Sequence, residues 1–216
     1  MNSFILFDFD GTIADTISVG LEIINAHADR FGYKRLDGEL NTHLSAMQLV
    51  KLAEVKLWKL PYLIYQLKQK LSEQSDEIQI LPEAIKIIEN VKNDGYELGI
   101  LTSNSMKTVS AFLKRYKLDT FFTYIKTDVF IFGKKKALAK TKKLLNKKII
   151  YVGDELRDIE ACKKNNIPIV SVSWGMNSYE SLESQNTGLV AKNAEETYSL
   201  IKRIVSVNSS LVNKFF

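Results

Sequence analysis

Four short apolar runs, each stopping abruptly at polar residues, constrain this chain more than any other feature. They are FILF at 4 to 7, ELGILT from 97, KIIYVGD from 148 and IPIVSVSW from 167. A run this short and uninterrupted fits a strand buried on both faces, as a parallel sheet requires. The segments between them follow a different period. PEAIKIIENVKNDG sets Ile85, Ile88 and Val91 near helical spacing, with Pro82 in the first turn and Gly95 as the stop. SMKTVSAFLKRYKL places Met106, Val109, Leu113 and Tyr116 on one face. Strands alternating with helices predict an α/β fold on a doubly wound parallel sheet.

Residues 15 to 80 break the alternation. Ile17, Leu21, Ile24 and Ala28 outline one helix, and the stretch from Leu36 to Leu71 is rich in Leu, Lys and Gln with little strand signal. The expectation is a helical insertion at 15–80 within a core formed by 1–14 and 81–216. Asp15 reads as the start of the first inserted helix. Trp58, Pro61, Tyr62 and Tyr65 are expected to pack inside the insertion. Near the end, Asn193 and Glu196 have capping-box spacing and predict a closing helix.

Open α/β sheets bind ligands beyond the carboxyl ends of their strands, and polar groups collect there in this sequence. Asp8, Asp10, Gly11 and Thr12 follow the first run. Thr102, Ser103 and Asn104 follow the second, and Asp154 and Asp158 follow the third in the spacing Gly-Asp-x-x-x-Asp. If these strands are neighbours, four carboxylates and a group of hydroxyls share one rim. Unneutralised carboxylates would repel one another, so a hard divalent cation is the natural compensation. Oxygen donors favour magnesium over zinc.

The formal charge of +5 suits anionic ligands, but eight lysines lie within residues 133 to 148 and read as a solvated helix face. No aromatic residues interleave them as on a base-stacking platform, which argues against nucleic acid as a partner. FGKKKA lacks the upstream glycine of a phosphate-binding P-loop. His27 and His43 share no ligand spacing. The single cysteine, Cys162, excludes an internal disulfide, fits a reducing cytoplasm and has no evident histidine partner, so an inert thiol is expected. No secretory segment is evident, and no apolar run is long enough to span a membrane.

Asp-x-Asp-Gly-Thr at 8 to 12, the hydroxyl at 102, a lysine at 134 and Gly-Asp-x-x-x-Asp at 153 to 158 resemble the haloacid dehalogenase superfamily. Within it, the chain is similar to phosphoglycolate-phosphatase-like hydrolases over essentially its whole length. The resemblance implies that Asp8 is the nucleophile, forming an aspartyl-phosphate. Magnesium would contact the Asp8 carboxylate, the Asp10 carbonyl and Asp154, with Asp158 bound directly or through water. Asp10 would act first as general acid and then as general base. Thr102 and the Ser103 amide would bind phosphoryl oxygens, with Ser103 as the alternative hydroxyl. Thr12 would help to bind or position the substrate.

Lys134 would neutralise the phosphoryl group. The commoner family pattern has Pro after this lysine, whereas Lys135 and Lys136 follow here and stand as alternatives. The insertion would be a helical cap closing over the rim. The implied function is a magnesium-dependent phosphatase of a small phosphorylated metabolite, phosphoglycolate-like or a sugar phosphate. A phosphosugar mutase of the same superfamily and a non-catalytic binding protein on this fold are the alternatives. No oligomeric state is implied.

Overall fold

A computed structural model describes residues 3–36, 46–129 and 133–206. His43 and the tail from residue 207 lie outside them. The first apolar run forms β1 (Ser3–Phe7), which is buried along its length. It pairs in parallel with β4 (Glu97–Leu101) on one side and β6 (Lys148–Gly153) on the other. With β5 (Phe122–Lys126), β7 (Ile169–Val172) and β8 (Val190–Ala191) the sheet runs β5-β4-β1-β6-β7-β8, all parallel. The doubly wound sheet is thus present, with β5 and β8 added to the four expected strands.

Successive strand residues point to opposite faces, and two apolar clusters follow from that alternation. Ile5, Phe7, Ile100, Ile150 and Val152 meet α5 (Pro82–Asn93), α6 (Met106–Arg115) and α10 (Ala194–Ser206) through Ile88, Phe112 and Ile201. Phe4, Leu6, Ile149 and Tyr151 meet α7 (Lys134–Leu145), α8 (Leu156–Lys163) and α9 (Tyr179–Gln185) through Leu138, Ile159 and Leu182. The closing helix begins as its sequence suggests. Asn193 Oδ1 accepts from the Glu196 amide at 2.9 Å, and the Glu196 carboxylate accepts from the Lys192 amide at 2.8 Å.

Between β1 and β4 the chain leaves and re-enters the sheet region through an antiparallel pair, β2 (Ala14–Asp15) and β3 (Gln79–Ile80). The Leu81 amide closes this neck by donating to the Ile13 carbonyl at 2.9 Å. The intervening helices are α1 (Thr16–Ala26), α2 (Ala28–Phe31), α3 (Ala46–Leu52) and α4 (Leu60–Glu73). Asp15 caps α1, its side chain accepting from the Ser18 amide at 3.1 Å. This helical insert has its own apolar cluster of Leu36, Leu49 and Ala53, flanked by Leu21, Ile24, Tyr33 and Val55.

The aromatic residues of the insert correct one expectation. Trp58 is 75% exposed, and Tyr62 and Tyr65 are also exposed. Leu71 is the residue α4 buries, so the Tyr62 and Tyr65 rings fall on its solvent side. Tyr62 lies edge-on to Phe31 of the insert with ring centroids 5.5 Å apart. The lysine-rich helix behaves as expected: Lys135, Lys136, Lys140, Lys142 and Lys143 on α7 face solvent.

Candidate active site

The order of the strands creates the site. The chain passes from β1 outward to β4 and β5, then crosses back through α7 to β6 on the other side of β1. Loops on the two sides of this reversal diverge, leaving a crevice at the carboxyl end of β1. Asp8 and Asp10 follow β1, Thr102 follows β4, and Asp154 follows β6, so the reversal gathers all four.

Asp8 is buried, and its amide extends the sheet by donating to the Val152 carbonyl at 2.8 Å. Its Oδ1 accepts from the Phe9 amide at 2.8 Å, and its Oδ2 accepts from Lys134 Nζ at 2.6 Å. Lys134 is the first residue of α7, directly after Gly133, which turns its side chain inward while Lys135 and Lys136 point to water. The same ammonium donates to Asp158. Burial by itself would lower the Lys134 pKa, but the charges of Asp158 and Asp8 outweigh it and raise the pKa. The two carboxylates thus favour the charged form of the lysine. Of the three lysines left open by the sequence, Lys134 is the one that reaches the carboxylates.

Asp8, Asp154 and Asp158 are all buried, and one carboxylate oxygen from each lies within 4.8 Å of the others. Asp154 differs from its two companions, because among the described residues no cation pairs with it. Its Oδ1 accepts from the Thr12 hydroxyl and its Oδ2 from the Met176 amide, each at 2.7 Å. Burial first, then the charges of Glu155, Asp8 and Asp158, push its pKa well above the usual carboxylate range. Asp158 is also pushed up, to about 7, by burial, with the Lys134 charge opposing. Nearby, Arg157 is bound to the buried Glu155. Clustered oxygen donors short of positive charge fit a hard divalent cation, and Asp8, Asp154 and Asp158 are the side chains that could hold it.

The Asp10 carboxyl lies apart from this trio. Its Oδ1 accepts from the Thr16 hydroxyl at 2.8 Å and Asn104 Nδ2 at 3.0 Å, and its Oδ2 accepts from the Thr102 hydroxyl at 3.0 Å. Burial, then the charge of Asp8, raises its pKa, while these three hydrogen bonds hold it down. Such a carboxyl can exchange a proton nearer neutrality than a free one. Thr102 also accepts from the Asn104 amide at 2.9 Å, so its hydroxyl is engaged on Asp10. Ser103 sits half-buried in the same turn.

Thr16, Asn104 and Met176 are contacts that reading the sequence did not assign. Asn104 stood in the polar run after the second strand, but neither Thr16, within a helix, nor Met176, in a loop, carried a local signal. Two glycines make room for the arrangement. Gly11 has φ +71°, and a Cβ there would fall 2.4 Å from Asp154 Oδ2. A Cβ on Gly175 would fall 2.3 Å from the same oxygen. Any side chain at either position would displace Asp154.

Comparison with known proteins agrees with this geometry. Residues 5–172 match the family described as haloacid dehalogenase-like hydrolase. The chain is 32% identical over 187 residues to a phosphoglycolate phosphatase of Synechococcus elongatus, covering 82% of this chain and 87% of that protein. It is 28% identical over 211 residues to the pyrophosphatase PpaX of Bacillus mycoides, covering 93% and 97% respectively. The crystal structure of a predicted phosphatase from Clostridium acetobutylicum superposes with a TM-score of 0.78 at 20% identity, over 96% of this chain and all of that one. With residues 5–172 matched by the family and a phosphatase relative 32% identical over 82% of its length, the chain belongs to the haloacid dehalogenase-like hydrolase family.

Proposed function

We propose that the protein is a magnesium-dependent phosphatase of a small phosphorylated metabolite, phosphoglycolate-like or a sugar phosphate, working through an aspartyl-phosphate on Asp8. The observation that carries this reading is the buried trio of Asp8, Asp154 and Asp158, closed on one side by Lys134 and separate from the Asp10 carboxyl. A cation held by Asp8, Asp154 and Asp158, with the Asp10 carbonyl, would neutralise charge on the carboxylates and the phosphoryl group. The names of the phosphatase relatives support the substrate class. Residues 15–80 serve as the cap over a core of 1–14 and 81–216. The single cysteine suits a cytoplasmic setting.

In the first step an Asp8 carboxylate oxygen attacks phosphorus. The bond from phosphorus to the leaving oxygen breaks, and that oxygen keeps the electron pair and takes the proton of Asp10. In the second step Asp10 removes a proton from water, the resulting hydroxide attacks phosphorus, and the bond to Asp8 breaks to free phosphate. Lys134 steadies Asp8 and offsets the phosphoryl charge. Thr102 and the Ser103 amide bind phosphoryl oxygens, which requires the Thr102 hydroxyl to be shared between Asp10 and substrate. Thr12 contributes by orienting Asp154.

Phosphate release from an aryl phosphate and from a panel of phosphorylated acids and sugars tests the reading. Activity should require magnesium, vanish with a chelator, and fall at least about 100-fold in Asp8→Asn and in Asp10→Asn. Turnover that survives chelation and both substitutions would contradict it.

A further inference from the structure

Asp154 is held by neutral donors from two segments, and the one after β7 reaches in two directions at once. Trp174 packs against the larger core cluster, and its indole N–H donates to the Thr12 carbonyl at 3.3 Å. Gly175 is pressed against the Asp154 carboxylate with no space for a Cβ. The Met176 amide donates to Asp154 Oδ2, while the Met176 side chain packs into the apolar cluster of the helical insert with Leu36, Leu49 and Ala53. The Asn177 amide then donates to the Asp154 carbonyl at 3.3 Å, and Asn177 Oδ1 accepts from the Leu156 amide at 2.9 Å.

A single residue therefore touches both the carboxylate of the core and the interior of the insert. Gly175 leaves no room for a Cβ against Asp154, so the strap from 174 to 177 is closely confined where the Met176 amide donates. An unbranched thioether suits this position, since it fills an irregular gap between two bodies that pack differently.

We infer that Met176 is a positioning residue that couples docking of the helical insert to the orientation of Asp154, and so to divalent-cation affinity. The inference rests on the reading of Asp154 as a cation ligand. Coupling of this kind is reciprocal. A cation that holds Asp154 also holds the strap and, through Met176, the insert; with the insert cut loose from Met176, the core carboxylates bind the cation less tightly.

Hydrogen exchange of the full chain, with and without magnesium as the only addition, tests this together with calorimetric titration of magnesium. In the wild type, magnesium should slow exchange in peptides covering 8–12 and 154–158 and also in those covering 19–36 and 46–55. In Met176→Ala the first set should still respond and the second should not, with affinity reduced about 5-fold, at the low end of measured site–site couplings. Met176→Leu should restore both. Should the alanine variant fail to fold, Leu36→Ala cuts the same contact from the insert side and should show the same split. Magnesium protection of the insert that is absent in the wild type, or equal in wild type and variant, would overturn the coupling while leaving the cation site standing. Absence of protection at 8–12 and 154–158 in the wild type would overturn the cation site, and the coupling with it.

Discussion

Asp154 and Asp158 belong to one short motif, yet their surroundings ask different things of them. Asp158 shares the Lys134 ammonium with Asp8, whereas among the described residues Asp154 is met by a hydroxyl and an amide and by no cation. A buried charge with neutral partners alone is costly, and that cost marks the place where a cation would act. Asp154→Asn keeps the shape and removes the charge. With chelator present it should stabilise the protein by about 1–3 kcal/mol, the scale of one uncompensated buried polar group, and it should abolish stabilisation by added magnesium. Chemical denaturation with and without the metal measures both, and an unchanged response to magnesium would count against Asp154 as a ligand. The four aspartates and Lys134 were legible as positions because each lies within three residues of a strand end or in the first turn of a helix. That Thr16 and Asn104 hold Asp10 was not legible, because which way a hydroxyl or amide turns depends on the folded surroundings.

Sheet strands and helices were legible where burial is complete. β1, β4, β6 and β7 read directly as apolar runs, but β5 lies at the sheet edge with one buried residue among half-buried and exposed ones, and β8 is two residues long. At that length no periodicity exists to be read. Ile150, fully buried in β6, faces the α5, α6 and α10 side, and Ile150→Ala should destabilise the protein by about 2–5 kcal/mol through lost burial and the cavity left behind. A loss below that range by denaturant titration would mean the site collapses around the smaller side chain. The packing of α10 against α5 also carries a pH dependence. Asp94, at the C-cap of α5, accepts from Lys202 Nζ and Tyr198 Oη, each at 2.8 Å. The bond from Lys202 first, then that from Tyr198, lowers its pKa. Its contribution to stability is therefore full above the unfolded value of about 4 and is lost as pH falls through the lower folded value. Asp94→Asn should flatten the acid side of a melting-temperature profile at low salt, and an unaltered profile would show the contact to be energetically idle.

Across the whole molecule, the reversal of strand order beside β1 brings residues from 8 to 158 to one crevice, and the neck of β2 and β3 suspends the helical insert from the same end of the core. The alternation of periods made the doubly wound core legible, and its interruption made the insert legible. The outward-facing aromatic residues were not, since an amphipathic pattern shows that a helix has two faces without showing which one meets a neighbour. The proposed function gives attack to Asp8 and proton transfer to Asp10. An aryl phosphate needs no proton on its leaving oxygen, so in Asp10→Asn phosphoryl transfer to the enzyme should persist while the water step stalls. Acid-quenching that variant with magnesium and an aryl phosphate, followed by peptide mass analysis, should find one phosphoryl group on Asp8; phosphate release with no such adduct, or an adduct on another residue, would contradict the mechanism.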